Sequence, residues 1–331
     1  MIQLIAEIGS VHDGSFGNAR KLIEAAASCG ATAVKFQTHI AEAETLRDAP
    51  NPPYFKGESR FEYFSRTGFS IEQWKELSRA CDDCSVAFLS SAFSLEAVDL
   101  LEEVNVTSYK IPSGEVTNLP LLRRIAATGK PAILSSGMSS WAELDVAVES
   151  LKGSSHIIVM QCSSIYPCPP EKVGLNVLAE MRARYGLDVG FSDHTMGVAA
   201  SIAAATLGAV AIEKHLTFSR QMYGSDAANA SEPHEFRLLA DALKDLETML
   251  RNPVDKGDHS SYADMKRIFE KSIVAAKALP AGAVVSESDL AFKKPGDGIT
   301  AARWRELLGK RLRSDVGADH KFTMEDFEVD A

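Results

Sequence analysis

The chain has 331 residues, enough for one large domain of about 250 residues with a small one, or for two of medium size. With 45% hydrophobic and 24% charged residues it reads as globular, and a formal charge of −10 argues against a nucleic-acid footprint, which needs a clustered basic face, though an acidic chain can still bind anions locally. Five scattered cysteines make no disulfide framework, the N-terminus lacks a signal-peptide pattern, and no apolar run reaches bilayer length, so a reducing cytoplasm is the expected compartment.

In chain order, short apolar runs alternate with helical patterns. The runs are "QLIAEIG" (3–9), "ATAVKFQ" (31–37), "VAFLSS" (86–91), "SYKIPS" (108–113), "PAILSSG" (131–137), "HIIVMQCSS" (156–164), "DVGFSDH" (188–194) and "AVAIEKH" (209–215). Strands separated by helices call for a parallel sheet, and eight such units in about 240 residues predict a closed (β/α)₈ barrel over 1–250 rather than an open sheet. No GxGxxG turn opens a helix, which weakens a dinucleotide-binding alternative.

The first helix, "GNARKLIEAAASCG", closes on a glycine suited to a C-terminal cap, and "SIEQWKELSRACDD" starts at Ser70 with Gln73 in the capping-box position. Cys81 and Cys84 form a lone CxxC at the end of that helix, read as two partly buried thiols rather than a metal or redox pair. Segment 38–69 has no clear period and exceeds the usual connection length, so it is expected to be a lid or rim loop whose aromatics cover a ligand or simply pack. A polar stretch from 251 to 271, ending in the helical "MKRIFEK", reads as a linker. Residues 272–331 then alternate short strands with turn signals, as in a small β-rich module with one or two short helices.

The C-terminal ends of barrel strands surround one mouth, so polar residues there converge although they are distant in sequence. Here they are Glu7, Lys35, Gln37, Ser91, Lys110, Ser113, Glu115, Ser135, Ser136, Ser163, Ser164, Tyr166, Ser192, Asp193, His194, Glu213, Lys214 and His215. Any one of them could be a solvated loop residue, but two lysines and two histidines at matching strand ends argue for a site. His194 and His215 end adjacent strands seven and eight at the same height, within reach of one divalent cation. Two imidazole nitrogens would leave positions open for water and substrate, with Asp193 expected to orient an imidazole from behind. Lys35, Lys110 and the hydroxyls of Ser113, Ser135 and Ser192 are expected to form a cationic, donor-rich wall for an anion carrying carboxylate and phosphate. A lysine Schiff-base aldolase is the competing reading.

These motifs resemble the N-acetylneuraminate (sialic acid) synthase family along nearly the whole chain: "AEIGSVHDGS", "GATAVKFQT", "YKIPSGEVTNLPLL", "KPAILSSGMS", "CSSIYPCPPE", "VGFSDHTMG", "GAVAIEKHLT", and then "SIVAAKALPAGAVVSESDLAFKKPGDGI", which is similar to its antifreeze-like SAF domain. The resemblance implies an (β/α)₈ TIM barrel followed by a SAF domain, and condensation of phosphoenolpyruvate with an N-acylated mannose-type sugar, N-acetylmannosamine being favoured. Modified-sugar and spore-coat-type synthases are the alternatives within the family, and a non-catalytic sugar-binding relative lies outside catalysis.

Carried over onto this sequence, His194 and His215 would hold a divalent metal, Mn²⁺ first and Mg²⁺ or Co²⁺ after it. Lys35, Lys110, Ser113, Ser135 and Ser192 would hold phosphoenolpyruvate. Glu7, Gln37, Ser91, Glu115, Tyr166 and Asp226 would complete the pocket, with Glu115 managing protons. The family's homodimer would place each SAF domain over the partner's barrel mouth. Three departures bear on the sugar: Lys294 replaces an arginine that reaches the acylamino group, Ser164 stands where asparagine is common, and "DAANASEP" lacks the histidine often found after Asp226.

Overall fold

The computed structural model describes residues 2–51, 57–224 and 226–328. The chain divides into two compact units, Met1–Asn252 and Pro253–Ala331.

In the first unit, β1 (Gln3–Gly9), β2 (Ala33–Thr38), β3 (Ala87–Ala92), β4 (Tyr109–Ile111), β5 (Ala132–Ser135), β6 (Ile157–Cys162), β7 (Asp188–Asp193) and β8 (Ala211–His215) close into a barrel in that order. Neighbours are parallel throughout, and β8 pairs back onto β1. The expected barrel is therefore the observed one. Around it lie α1 (Phe16–Ser28), α2 (Ala41–Glu44), α3 (Arg60–Thr67), α4 (Ile71–Asp83), α5 (Leu95–Val104), α6 (Leu119–Ala126), α7 (Trp141–Ser150), α8 (Asn176–Tyr185), α9 (Ala199–Thr206) and α10 (Pro233–Arg251).

Alternation along each strand sends successive side chains to opposite faces. Outward residues such as Leu4, Val34, Phe88, Tyr109, Leu134 and Phe191 join the helices in one large core. Inward residues Ile5, Ala33, Leu89, Ile133, Ile158, Met160 and Ala211 form a separate apolar plug inside the barrel. The next inward positions, two residues further along, are Glu7, Lys35, Ser91, Ser135, Cys162 and Glu213, so the interior turns polar toward the mouth.

α4 starts as expected, with Ser70 and Gln73 forming a capping box, and α1 ends at Cys29 with Gly30 at φ +92°. The aperiodic rim loop expected over 38–69 is corrected: α2 and α3 both lie within it. A second capping box, Ser59 with Glu62, starts α3, and Ala41, Phe61, Tyr63 and Phe64 bury against one another. Arg66 ties the segment down through Glu58 and Asp13. Tyr54 and Phe55, part of that expected lid, lie outside the described residues.

In the second unit α11 (Ala263–Phe269) falls inside the stretch expected as a linker. β9 (Ser272–Ala275) and β10 (Leu290–Lys293) pair antiparallel over a core that includes Ile273, Leu290, Leu307, Leu312, Phe322 and Phe327. The remaining chain is held by isolated bridges and 3₁₀ turns. All five cysteines are free, and burial pushes the Cys81 thiol up, away from reactivity. Among the described residues no helix is long and apolar enough to cross a membrane.

Candidate active site at the barrel mouth

Register places the site. Glu7 pairs with Lys35 on one side and His215 on the other, Ser91 with Lys110, and Ser192 with Glu213. The resulting side chains form one buried chain of charges. Gln37 Nε2 donates to Glu7 Oε1 at 2.7 Å, and Lys35 Nζ lies 2.8 Å from Glu7 Oε2 and 3.7 Å from Glu213 Oε2. Lys110 Nζ donates to both Glu213 oxygens at 2.8 Å, Ser192 Oγ donates to Glu213 Oε1 at 3.0 Å, and Lys35 donates to Ser91 Oγ at 3.2 Å.

The expected cationic wall is thereby corrected. Two lysines inside a low-dielectric barrel need counter-charges, and Glu213 and Glu7 supply them. Burial alone would push Glu213 up, but Lys110 and Lys35 outweigh it and hold this carboxyl at about 2. Burial pushes Lys35 down, yet Glu213 and Glu7 leave it above the ordinary lysine value. For Lys110 burial wins and its pKa falls, and for Glu7 burial wins over Lys35 and its pKa rises. Glu7 is thus the carboxyl in the chain that most readily carries a proton, while Glu213 stays ionised.

Above this layer, β4 and β5 end in loops that meet at Gly137. Its N–H donates to Ser113 Oγ at 3.0 Å. A Cβ there would stand 2.3 Å from Ser164 Oγ, 2.6 Å from Ser113 Oγ and 3.0 Å from Cys162 Sγ, so only glycine leaves these groups converging. Ser135 is buried at the end of β5. At β1, Gly9 sits at φ +53° on an irregularity in the register. A Cβ there would stand 2.6 Å from Asp226 Oδ2, 3.2 Å from Gln37 Nε2 and 3.4 Å from Glu7 Oε1, which puts Asp226 at the mouth.

His194 and His215 are both buried, with ring centroids 5.8 Å apart. His194 Nδ1 donates to the Ser163 carbonyl at 2.6 Å, so its Nε2 keeps a lone pair, which accepts the Tyr166 hydroxyl at 2.9 Å. Burial first, and the His215 ring second, hold His194 down at about 4, in the neutral form a metal requires. His215 Nδ1 is buried with no hydrogen-bond partner among the described residues. An orphaned buried nitrogen costs about 1 to 3 kcal/mol. A centroid separation of 5.8 Å lies within the span of two metal–nitrogen bonds of about 2.1 Å, so the spacing of the pair is compatible with a shared ion once Tyr166 gives up its place on His194. Among the described residues no group of three or more His, Cys, Asp or Glu has metal-binding geometry.

Asp193 is a second correction. Among the described residues it bonds neither imidazole, because period 2 turns it outward between inward Ser192 and His194. It accepts from Ser201 Oγ (2.6 Å), Lys214 Nζ (3.0 Å) and the Thr195 N–H (2.8 Å), and Lys214 also donates to the Thr195 carbonyl at 2.9 Å. This buried network pins the backbone on either side of His194.

Glu115 stands half-buried after β4 and accepts from Asn118 Nδ2 at 2.8 Å. Burial pushes its carboxyl up, with Glu44 adding to the effect. No hydrogen bond joins it to the lysine chain among the described residues. Lys294 belongs to the second unit, where its ammonium lies 5.0 Å from the centroid of the Phe269 ring. Glu213 stands among the expected strand-end residues, but its role as counter-ion to both lysines is visible only in the structure, and His39, whose ring bonds Gln37, has no place in the sequence expectation.

The sequence pattern of the NeuB family matches residues 22–255, and that of the SAF domain matches residues 270–328. The chain is 38% identical over 316 residues to the N,N'-diacetyllegionaminic acid synthase of Campylobacter jejuni, covering 93% of this chain and 94% of the relative. It is 32% identical over 324 residues to human N-acetylneuraminate-9-phosphate synthase, covering 96% and 90%. Among solved structures it is similar to the N-acetylneuraminic acid synthetase of Leptospira borgpetersenii in complex with citrate. The TM-score is 0.69 at 27% identity, covering 80% of this chain and 90% of that one.

Proposed function

From the premise that the chain belongs to the NeuB family of sialic acid-type synthases and carries a SAF domain over residues 270–328, we propose that it condenses phosphoenolpyruvate with an N-acylated amino sugar to give a nonulosonic acid and phosphate. The observation that carries this reading is the buried Glu7–Lys35–Glu213–Lys110 chain beneath the His194–His215 pair at one barrel mouth.

Lys35 and Lys110 bind the anion as point charges, their carboxylate partners turning from counter-ions into neighbours as the ligand arrives. Ser113, Ser135 and Ser192 donate hydroxyls to it, Ser91 steadies Lys35, and Gly137 leaves room for Ser113 and Ser164. A divalent ion held by His194 and His215, Mn²⁺ with Mg²⁺ or Co²⁺ as substitutes, supplies Lewis-acid polarisation of the open-chain aldehyde when bound.

The enol carbon attacks the aldehyde carbon, and Glu115, its carboxyl raised by burial, delivers the proton to the new alkoxide oxygen. Lys35 and Lys110 keep the phosphate placed while water adds at the oxocarbenium carbon. Glu7, set by Gln37, takes the water's proton, and loss of phosphate leaves a 2-keto acid. Tyr166 and Asp226 border the sugar at the mouth. Preorganised donors of this kind each lower the barrier by about 3 kcal/mol.

For the acceptor, the 38% identity to a legionaminic acid synthase favours a 2,4-diacylamino-trideoxy sugar over N-acetylmannosamine. Lys294 and Ser164 agree with an altered sugar contact, since a point charge cannot reproduce a guanidinium fork. The same reading makes the protein a cytoplasmic homodimer in which the SAF domain, with Lys294, caps the partner's barrel.

The test is phosphate release from phosphoenolpyruvate with Mn²⁺ and a panel of sugars. Release with the diacylamino sugar well above that with N-acetylmannosamine is the expected result. The reverse order moves the assignment to N-acetylmannosamine, and no release with any sugar removes it.

A further inference from the structure

His39 follows β2 and is enclosed by parts of the chain far from it. Phe64 of α3 stacks on one face of its ring at 3.7 Å between centroids, and Phe93, just past β3, on the other at 4.0 Å. Its Nδ1 lies 2.7 Å from Glu44 Oε1 at the end of α2, and its Nε2 lies 3.1 Å from Gln37 Oε1. The side chains of His39 and Glu44 are each only 6% exposed.

The partners fix where hydrogens go. Gln37 gives its amide nitrogen to Glu7 Oε1, so its oxygen faces His39, and an oxygen there requires His39 to donate from Nε2. The same ring faces a carboxylate oxygen at Nδ1. Both ring nitrogens are therefore engaged, Nε2 by the Gln37 oxygen and Nδ1 by Glu44 Oε1. Were Nε2 bare, the amide would turn to donate to it. Its oxygen would then face Glu7 Oε1, acceptor against acceptor whenever that carboxyl is ionised, at the head of the charge chain. Two phenyl faces and Glu44 hold the ring against that rearrangement. Of the nearby titratable groups, His12 and Glu115 interact with the pair electrostatically.

We propose that His39 is a positioning residue: clamped by Phe64 and Phe93 and anchored on Glu44, it fixes the amide of Gln37 so that the amide nitrogen, not the oxygen, meets Glu7. This couples the order of the rim helix α3 to a group that touches the reacting centre. The consequence for turnover rests on the synthase reading above, whereas the hydrogen placement does not.

The direct test is ¹⁵N NMR of the histidine-labelled protein at pH 7.5, with the His39 ring assigned by its loss in His39→Gln. A hydrogen on Nε2 is expected, and a bare Nε2 overturns the proposal whether or not any sugar is turned over. A double-mutant cycle tests the catalytic consequence. His39→Leu should lower kcat by about tenfold in the native background and by less than about twofold in Gln37→Leu, because the effect passes through Gln37. His39→Gln, which keeps a donor toward Gln37, should recover most of the loss. Equal losses in both backgrounds, or no recovery with glutamine, contradict it. If His39→Leu does not fold, the NMR result on the native chain still decides. If no sugar is turned over while Nε2 carries its hydrogen, the synthase reading fails and the positioning geometry stands.

Discussion

Lys110 Nζ stands 2.8 Å from each carboxylate oxygen of Glu213, and the same carboxylate lies 3.7 Å from Lys35 Nζ, so one anion on β8 holds two cations from β4 and β2 inside the barrel. Glu213→Gln removes that anion and strips buried Lys110 of its counter-charge, while Lys35 keeps Glu7 at 2.8 Å. The expected loss of stability is about 3 kcal/mol, with turnover down about a hundredfold or more. Chemical denaturation and steady-state kinetics check both figures.

The same pair has a pH signature. Glu213 is held at about 2 against an ordinary 4.5, so the unfolded chain binds its proton first as pH falls. Its stabilisation is complete above 4.5 and is lost as pH drops toward 2. Denaturation midpoints measured down to pH 3 should fall more steeply in the native protein than in Glu213→Gln.

His12 supplies a separate, higher window. Burial first, and His39 second, hold it at about 4 against 6.5. The neutral ring therefore contributes stability that is full above 6.5 and declines as pH falls through about 4, by up to about 3 kcal/mol. Its Nδ1 accepts the Gly14 N–H at 3.1 Å, a bond an asparagine oxygen can take over. His12→Asn should flatten the stability profile between pH 6.5 and 4, as thermal unfolding across that range would register.

Gly137→Ala should weaken phosphoenolpyruvate binding about tenfold or more while the fold persists, since the new methyl displaces the Ser113 and Ser164 hydroxyls rather than core side chains. Calorimetric titration provides the measurement, and unchanged affinity would place the anion elsewhere.

The barrel was legible because its alternation is strict: eight apolar runs with polar ends give the strands, their order and the face that carries Glu7, Lys35, Lys110, His194 and His215. What escaped are relations across the barrel. Glu213 looks like any other strand-end acid until β4 and β8 are closed around it, because a single sequence carries no distance between them. Asp193 could have been turned outward by the period-2 rule alone, given inward Ser192 and His194. α3 was hidden among the aromatics and prolines of segment 38–69, although Ser59 and Glu62 spell its capping box. His39 gave no local signal, since its partners Phe64 and Phe93 come from other elements.

The lysines also separate condensation from Schiff-base chemistry. Both ammoniums are held on carboxylates, so pyruvate with borohydride should leave Lys35 and Lys110 unmodified, with less than about a tenth of the chain labelled. Mass spectrometry reads the outcome, and stoichiometric labelling of either lysine would favour an aldolase.

The most direct measurement follows the oxygen that bridges carbon and phosphorus in phosphoenolpyruvate. Turnover of bridge-labelled ¹⁸O substrate with Mn²⁺ and a diacylamino sugar is predicted to place the label in the released phosphate, because water adds at the oxocarbenium carbon and the carbon–oxygen bond then breaks. Label retained in the 2-keto acid, or no phosphate released with any sugar, would contradict the account.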